Sequence, residues 1–345
     1  PLPGMSDPAA QKRPPRDRGV LPSQHIVEML QKGYITAPVP TVAKQIQPSS
    51  LDLRLGPVAY RVRASFLPGK QSRVEEKLRE LSMAEVSLSD GAVFEKGCVY
   101  IAELQERVKL PVGISARANP KSSTGRVDVF VRVITDFGDA FDDVDEGYEG
   151  PLYMEIAPQT FSVLVRSGTR LNQLRLKAGT PPRLRTESVG VDLTGEIAGF
   201  RGRRHAGVVD LDHEDGHDPR DFWEPLVPRN GQLLLDPGEF YILGSKEQVR
   251  VPNDYAAEMV SYDPSVGEFR VHYAGFFDPG FGYGEADILG TRAVLEVRSH
   301  DVPFLLRHGQ RVGRLQYERL TAEAHKIYGA SGVGSSYQRQ GLRLS

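Results

Sequence analysis

The chain repeats part of its own sequence at a constant spacing, and this feature constrains the fold more than any other. Four pairs of short segments are offset by 141 residues: 97–101 and 238–242, 108–111 and 249–252, 153–156 and 294–297, and 168–171 and 309–312. A fifth pair, 51–53 and 191–193, is offset by 140 residues. Patterns such as Gly-x-x-Tyr recur freely in β proteins, but a register kept across five landmarks favours two copies of one domain.

Both copies have the sequence pattern of β structure. Segments such as 127–133, 161–165 and 293–297 alternate in polarity or run as short apolar bursts between turns, which is typical of strands. The 35 glycines and 25 prolines among 345 residues also favour many short strands joined by turns. Two short helices are predicted, one with Ser23 as its N-cap and one containing Val74, Leu78 and Leu81. The expected fold class is mainly β.

Composition and the repeat together suggest the domain boundaries. Residues 1–20 hold five prolines and no apolar periodicity, which predicts a disordered N-terminal arm. We expect the first domain at 21–182 and the second at 183–322, with the Gly-Thr-Pro-Pro segment as the joint. The Gly/Ser-rich tail at 323–345 carries Tyr, Arg and Gln side chains that a linker does not need. It is interpreted as a lid that orders over a ligand, with a frayed end as the alternative.

The charge balance and hydropathy exclude several classes of partner. The formal net charge is −2, so no global basic field invites nucleic acid. No run reaches the roughly 18 apolar residues that a membrane-spanning helix needs. No signal-peptide pattern opens the sequence, and the expectation is therefore a cytoplasmic protein without a nucleic-acid or membrane partner.

Metal ligands of the usual kinds are sparse. The one cysteine, Cys98, excludes an intramolecular disulfide framework and a cysteine-based zinc site. The segment 205–217 contains His213 and His217 among several acidic residues, a pattern that allows a metal site. A solvated acidic loop is the favoured interpretation, because the segment occurs in only one copy.

The segment Lys121-Ser122-Ser123-Thr124-Gly125-Arg126 is a candidate phosphate cradle. Hydroxyl and backbone N–H groups would donate to phosphate oxygens, and Arg126 can bind two of them with its fork. Taken alone, the same residues also fit a polar turn.

Glu155 and Glu296 interrupt apolar strands at equivalent positions of the two copies. Strand alternation would let either carboxylate point to solvent. Partial burial would instead raise its pKa and suit it to proton transfer near pH 7. Both interpretations stay open on the sequence.

Four stretches in order resemble the dCTP deaminase and dUTPase superfamily, and the short helix before the first of them resembles the deaminase branch. They are 49–56 (SSLDLRLG), 122–126 (SSTGR), 274–281 (AGFFDPGF) and 337–340 (YQRQ). The deaminase branch is further favoured because Arg126 follows Ser122 by four residues and Glu155 follows Asp145 by ten. The resemblance covers the chain from about residue 20 to its end. It implies two tandem β-clip (dUTPase-like) distorted barrels and a homo-oligomer, with a trimer favoured and sites at subunit interfaces.

The resemblance also implies a chemistry, namely hydrolytic deamination of dCTP to dUTP and ammonia. A glutamate would activate water, Ser122 and Arg126 would orient it, and hairpin backbone groups would read the base edge. The remaining nucleotide contacts would come from Lys121, Ser123, Ala274, Gly275, Asp278, Tyr328 and Gln340. Mg²⁺ would accompany the triphosphate, with no zinc and no tightly bound cofactor. The sequence agrees in lacking the His-x-Glu and Pro-Cys-x-x-Cys signature of zinc deaminases.

Each copy departs from the family pattern in a complementary way. The second copy lacks the paired serines and the arginine, and the first lacks the Ala-Gly hairpin and inserts 137–143. Ser336 also stands where a lysine is expected before the tail tyrosine. One hypothesis is a composite site that combines residues of both copies, and the other is a first-copy site that uses Glu155. The composite site would take Ser122, Ser123 and Arg126 from the first copy and Ala274, Gly275 and Glu296 from the second.

Two other functions remain open on the sequence. One is a dUTPase or a bifunctional enzyme that also hydrolyses the triphosphate, with Asp52 or Asp192 holding the water. The other is a catalytically inactive nucleotide-binding regulator, an alternative motivated by the degraded second copy.

Overall fold

The structure is a computed structural model that describes residues 17–181, 183–213, 216–261, 269–271, 275–283, 290–299 and 301–329. Strands dominate these residues, which confirms the predicted mainly β class with a few short helices. The strands of the first copy are β1 (Gly19–Val20), β2 (Ile35–Thr36), β3 (Leu51–Val62), β4 (Ser82–Ser87), β5 (Ala92–Phe94), β6 (Val99–Lys109), β7 (Ile114–Pro120), β8 (Val129–Thr135), β9 (Asp143–Val144), β10 (Glu149–Pro158), β11 (Val163–Val165) and β12 (Arg170–Ala178).

The second copy is also built mainly of strands. Its strands are β13 (Arg183–Gly190), β14 (Gly199–Gly202), β15 (Val209–Asp210), β16 (Trp223–Leu226), β17 (Gln232–Leu235), β18 (Phe240–Val249), β19 (Tyr255–Ser261), β20 (Phe269–Val271), β21 (Phe276–Phe277), β22 (Thr291–Ser299), β23 (Phe304–Arg307) and β24 (Arg311–Arg319). The helices of the described residues are α1 (Ser23–Gln31), α2 (Val74–Leu81), α3 (Ser122–Arg126) and α4 (Pro219–Phe222), with a 3-10 turn at Ala43–Gln45.

The sequence repeat is also a structural repeat. β6 and β18, β7 and β19, and β12 and β24 each begin 141 residues apart. Gly97 and Gly238 both adopt left-handed φ angles, of 79° and 72°, in the turn before β6 and β18. The next tyrosine in each copy accepts the same backbone hydrogen bond, from Glu95 to Tyr100 at 3.2 Å and from Asp236 to Tyr241 at 2.7 Å.

The first copy forms a nearly closed, barrel-like sheet. Its strand path is β8-β10-β6-β3-β12-β7-β9, and β1, β2 and β4 attach to β12, β6 and β3. The second copy distributes its strands over the sheets β13-β24-β19-β21 and β16-β14-β18-β22-β20 and the pair β17-β23. Apolar side chains on the inner faces of both copies are buried, as period-2 alternation requires.

The two copies pack directly against each other. The apolar cluster of the first copy includes Phe222, Trp223, Phe240 and Ile242 of the second. A further small cluster joins Val20 to three residues from the second copy, Ala256, Leu320 and Ala324. The two copies therefore share a buried interface, and contacts from both copies hold the residues that border it in place.

Two details differ from the sequence predictions, and a third agrees with them. The disordered arm expected at 1–20 does not extend to Gly19 and Val20, which pair with Ala178 and Lys177 of β12. Ser23 is the first residue of α1 and not its cap, and its Oγ accepts from the N–H of Lys326 at 3.2 Å. No helix in the part of the chain that the structure describes is long and apolar enough to cross a bilayer.

Candidate active site

A cavity lies where the first copy meets the hairpin and the β22 strand of the second copy. Its walls carry charged groups from both copies together with apolar hairpin side chains. The lining includes Lys121, Ser122, Arg126, Gly275, Phe276, Asp278, Phe281, Arg292, Glu296 and Tyr328. Seven of these were predicted as site residues from the sequence, among them Asp278 at the hairpin tip.

The candidate phosphate cradle is a short helix and not the polar turn that was the alternative. β7 ends at Pro120, and the N–H of Lys121 donates to the carbonyl of Leu171 at 3.0 Å. Thr124 Oγ1 donates to the same carbonyl at 2.8 Å, which fixes α3 against the start of β12. Ser122 and Ser123 remain exposed while Arg126 is buried, so two hydroxyl groups face outward beside an inward guanidinium.

Lys121 also belongs to a buried charge cluster beneath the helix. Its Nζ donates to Asp52 Oδ2, and Arg170 Nη1 lies 3.5 Å from the same oxygen. The Asp52 side chain is fully buried, and its Oδ1 accepts no hydrogen bond within the described residues. The cluster places two cations and one anion next to the exposed serines.

Arg126 and Glu296 meet across the boundary between the copies. Arg126 Nε lies 3.9 Å from Glu296 Oε1, and both side chains are at least nine-tenths buried. Burial raises the pKa of Glu296 to about 7, the Arg126 guanidinium opposes this shift, and Asp128 adds to it. A carboxyl group with that pKa exchanges protons readily at neutral pH.

The hairpin of the second copy is fastened by the first copy. Ser49 Oγ donates to Asp278 Oδ1 at 2.5 Å, and Arg175 Nη2 lies 3.7 Å from that oxygen. Arg175 is completely buried, stacks 3.8 Å from the centre of the Phe276 ring and donates to the carbonyl of Ala257 at 3.0 Å. Burial raises the pKa of Asp278, while Arg175 and Ser49 favour its ionised form.

The start of the C-terminal tail lies on the same hairpin. The N–H of Tyr328 donates to the carbonyl of Pro279 at 2.8 Å, and its ring lies 5.2 Å from that of Phe281. Gly280 has a left-handed φ of 88°, and a Cβ there would come within 3.0 Å of Ile327 and 3.1 Å of Tyr328. The glycine therefore allows the tail to approach the cavity.

Glu155 lies in a different environment from Glu296. Arg132, its cross-strand neighbour in β8, binds Glu155 Oε1 with Nε at 3.1 Å and Nη2 at 2.6 Å. The same guanidinium stacks 3.5 Å from the centre of the Phe141 ring. Glu155 does not line this cavity.

The remaining predicted residues are placed as follows. Ser123 lies on α3 beside Ser122 and is exposed, outside the lining of the cavity. Ala274 and Gln340 lie outside the described residues. The structure thus brings Lys121, Ser122, Arg126, Gly275, Asp278, Tyr328 and Glu296 together and leaves Glu155 apart.

The sequence reasoning missed the charged groups that connect the copies. Arg175 follows an apolar residue in a strand and resembles a solvent-facing charge, so its sequence context offers no signal. Arg298 does offer one, because it lies two residues beyond Glu296 in β22 and period-2 spacing keeps strand residues i and i+2 on one face. Asp128 lies in the turn between α3 and β8, where no such spacing marks it.

The acidic segment 205–217 has partners within the protein. Arg166 binds both oxygens of Asp210, at 2.7 and 2.9 Å, and His217 Nε2 accepts from the N–H of Asp210 at 2.9 Å. Outside residues 214 and 215 and the other undescribed positions, no group of three His, Cys, Asp or Glu side chains is arranged to hold a metal ion.

The fold and the cavity together define a class of protein. Two tandem β domains carry a serine–arginine helix in one copy and a buried glutamate in the other, which are features of the deaminase and dUTPase fold class. Comparisons with known proteins then narrow the class to one family.

The chain belongs to the 2'-deoxycytidine 5'-triphosphate deaminase family. The family's N-terminal domain matches residues 17–180, and its C-terminal domain matches residues 184–345. A solved structure of 2'-deoxycytidine 5'-triphosphate deaminase from Agrobacterium tumefaciens is 50% identical, with a TM-score of 0.85 over 88% of this chain and 100% of that chain. Both findings support the two-domain form of the family.

Curated relatives match about half of this chain. A "dCTP deaminase, dUMP-forming" from Mycolicibacterium gilvum is 28% identical over 180 residues, which is 51% of this chain and 88% of the relative. One of the same description from Methanobrevibacter smithii is 30% identical over 165 residues, or 47% of this chain and 82% of the relative. Such relatives therefore have roughly the length of one copy.

Proposed function

We propose that the chain deaminates dCTP hydrolytically, at one composite site built from both copies. The observation that carries this proposal is the meeting of Arg126 and Ser122 of the first copy with Glu296 of the second in one cavity. The family membership supplies the substrate class, since relatives are named dCTP deaminases. The reaction consumes one water and releases dUTP and ammonia.

The proton transfers of this reaction fit Glu296. Water adds to the ring carbon that carries the amino group, and Glu296 accepts the proton that the water loses. The glutamic acid then protonates the ring nitrogen. The hydroxyl group that the water leaves on the ring carbon gives up its proton, Glu296 passes that proton to the amino group, and ammonia leaves as the carbonyl forms. Arg126 and Ser122 orient the water and hold the carboxylate, a role that suits preorganised donors.

The phosphate end of the nucleotide would bind at α3. The exposed hydroxyls of Ser122 and Ser123 and the Lys121 ammonium can donate to phosphate oxygens. Mg²⁺ would arrive as the counterion of the triphosphate, because it binds oxygen ligands and usually keeps several waters. The backbone of the 275–283 hairpin would read the base edge, and the tail with Gln340 would cover the nucleotide. A homo-oligomer, with a trimer favoured, is part of this proposal.

A bifunctional enzyme that continues to dUMP is the second candidate. The curated relatives are named dUMP-forming, and Asp52 lies buried beside Lys121 with an oxygen that accepts no hydrogen bond within the described residues. Product analysis separates the two functions: ammonia with dUTP supports simple deamination, and ammonia with dUMP and pyrophosphate supports the bifunctional enzyme. Binding of dCTP without ammonia release would instead support the inactive regulator.

The pH dependence of the reaction should follow the ionisation of Glu296. Because the pKa of this group is raised to about 7, the base is protonated in acid and ionised in alkali. We expect kcat/KM to rise as pH increases through about 7 and to level off above it. Initial rates of ammonia release across this range measure the midpoint. A rise centred near the ordinary glutamate pKa of about 4.3 would contradict the assignment.

Each chain should bind one nucleotide. The strand pair β7–β9 of the first copy is the counterpart of β19–β21 of the second. The two pairs have the same register, since Ala116 pairs with Val144 as Ala257 pairs with Phe277. Phe141 then takes the sequence place of Ala274, and Arg132 lies between its ring and Glu155. The side chains of Phe141 and Arg132 therefore occupy the place in the first copy where the second copy would hold the base, and we expect no nucleotide to bind there.

Calorimetric titration of a Glu296→Gln variant with dCTP measures the stoichiometry without turnover. The expected result is one nucleotide per chain. Two equivalent nucleotides per chain would show that the first copy keeps a site of its own, and the composite assignment would then be wrong.

A further inference from the structure

A second buried ion pair lies beside Arg126 and Glu296 and also joins the copies. Asp128 of the first copy is 1% exposed, and its Oδ2 accepts from Arg298 Nη2 of the second copy. Thr160 Oγ1 donates to the same carboxylate at 2.5 Å and accepts from Arg298 Nη2 at 3.0 Å. The three side chains close a triangle, which we call the Asp128–Thr160–Arg298 triad.

The triad is adjacent in sequence to both halves of the candidate site. Asp128 lies two residues after Arg126, and Arg298 lies two residues after Glu296 in β22. Strand geometry places residues 296 and 298 on the same face. Two neighbouring ion pairs thus cross the boundary between the copies. In one pair the first copy supplies the arginine, and in the other the second copy supplies it.

The backbone at Asp128 is arranged for this contact. Its φ is 56°, a left-handed conformation that few residues other than glycine adopt and that aspartate and asparagine tolerate best. The N–H of Asp128 donates to the carbonyl of Gly125 in α3 at 3.0 Å. Arg298 Nη1 donates to the carbonyl of Gly238, so its guanidinium is held from both ends. The contact therefore links α3 firmly to β22.

We propose that the Asp128–Thr160–Arg298 triad is the positioning device that fixes Glu296 opposite Arg126 and sets the local charge around it. The inference rests on the proposed function, and these residues act through Glu296 without touching substrate. Because the two arginine–carboxylate pairs share one strand, loosening the second pair shifts the first. A displacement of about 1 Å in a catalytic group is enough to cost about 10²-fold in rate.

Several charges face Glu296, and their signs determine the expected effects. Arg126 approaches from α3, Asp128 from the turn that follows it, and Arg292 and Arg298 belong to β22 itself. Opposite Glu296, β18 presents Ile242, which is uncharged. Lys121 and Asp278 line the same cavity. A nearby anion disfavours an ionised carboxylate, and a nearby cation favours it.

The test compares Asp128→Asn, Arg298→Gln and the double variant by their pH profiles and by kcat and KM separately. Asp128→Asn removes an anion near Glu296, so the midpoint of kcat/KM should move to lower pH. Arg298→Gln removes a cation, so the midpoint should move to higher pH. The double variant should return toward the wild-type midpoint. In all three, kcat should fall by about 10–100-fold while KM changes by less than about threefold.

Controls separate positioning from general stability. Arg201→Gln breaks the Arg201–Glu224 pair of the second copy, which lies outside the cavity, and should leave the midpoint unchanged. Arg298→Lys keeps the charge but not the fork, so it should restore the midpoint and only part of kcat. Asp128→Asn serves as the test if Arg298→Gln fails to fold, because asparagine tolerates the left-handed backbone at this position. Its expected result is again a midpoint of kcat/KM at lower pH.

The outcomes distinguish the inference from the function on which it rests. An active wild type whose midpoint does not move in Asp128→Asn, or moves the same way in both single variants, overturns the positioning role alone. A loss seen in KM with kcat unchanged does the same. A wild type that binds dCTP but releases no ammonia removes the proposed function, and the positioning role with it.

Discussion

Replacing Glu296 with glutamine is expected to lower kcat for ammonia release from dCTP by about 10²–10⁴-fold, the usual contribution of a general acid–base group. Glutamine keeps the size and hydrogen-bonding shape of the side chain but cannot accept and return the proton. The loss should therefore appear in kcat, with nucleotide binding largely retained. Ammonia release and calorimetric binding, measured on the same preparation, check both parts.

Glu155→Gln is the matched control, because Glu155 occupies the equivalent strand position of the first copy. Its carboxylate is held by Arg132 and does not line the cavity, so its removal should leave kcat within a few-fold of wild type. It should lower the free energy of unfolding instead, since Arg132 would lose its charged partner. Equal loss of turnover in both variants would argue against the composite site, and intact turnover in both would exclude either glutamate as the base.

Replacing Arg175 with methionine is expected to lower the free energy of unfolding by about 3–5 kcal/mol, the usual cost of removing one partner of a buried ion pair. Arg175 is fully buried, and its guanidinium contacts Asp278, Ser49, Phe276 and the carbonyl of Ala257. Methionine fills much of the volume but leaves Asp278 without a buried cation. Denaturant unfolding of the full chain measures the loss.

Arg107→Met is the control for this stability prediction. Arg107 is about half exposed and pairs with Glu103 at 3.2 Å, and such surface pairs contribute little. Its free energy of unfolding should stay close to that of wild type. A similarly small change in Arg175→Met would mean that the hairpin does not depend on the first copy.

The sequence predicted those parts of the site that depend on local patterns. The 141-residue repeat, the strands around 293–297 and the serine–arginine motif all follow from spacing and residue type, and each has a counterpart in the structure. That Glu155 and Glu296 are equivalent also follows from the repeat. The repeat does not predict which of the two glutamates lies beside Arg126, because that depends on how the two copies pack.

Ion pairs between residues that are distant in sequence account for the parts of the site that the sequence did not predict. Arg132 neutralises Glu155 only because β8 and β10 pair in a register that places them opposite each other. Arg175 and Asp278 are separated by about a hundred residues, and neither has a local pattern that marks it as buried. Charged residues in strands are assigned to solvent by default, and only tertiary packing overrides that assignment.

Because the two copies are covalently joined, the site forms when one chain folds and not when separate chains associate. Arg126 and Glu296 belong to one polypeptide, so their encounter is a step in folding and its equilibrium has no concentration term. A site divided between separate chains would come apart on dilution, whereas a tether keeps the two halves at a high effective concentration. The two halves can also surround equivalent side chains differently, since Glu155 is bound by Arg132 within the first copy whereas Glu296 faces Arg126 across the boundary.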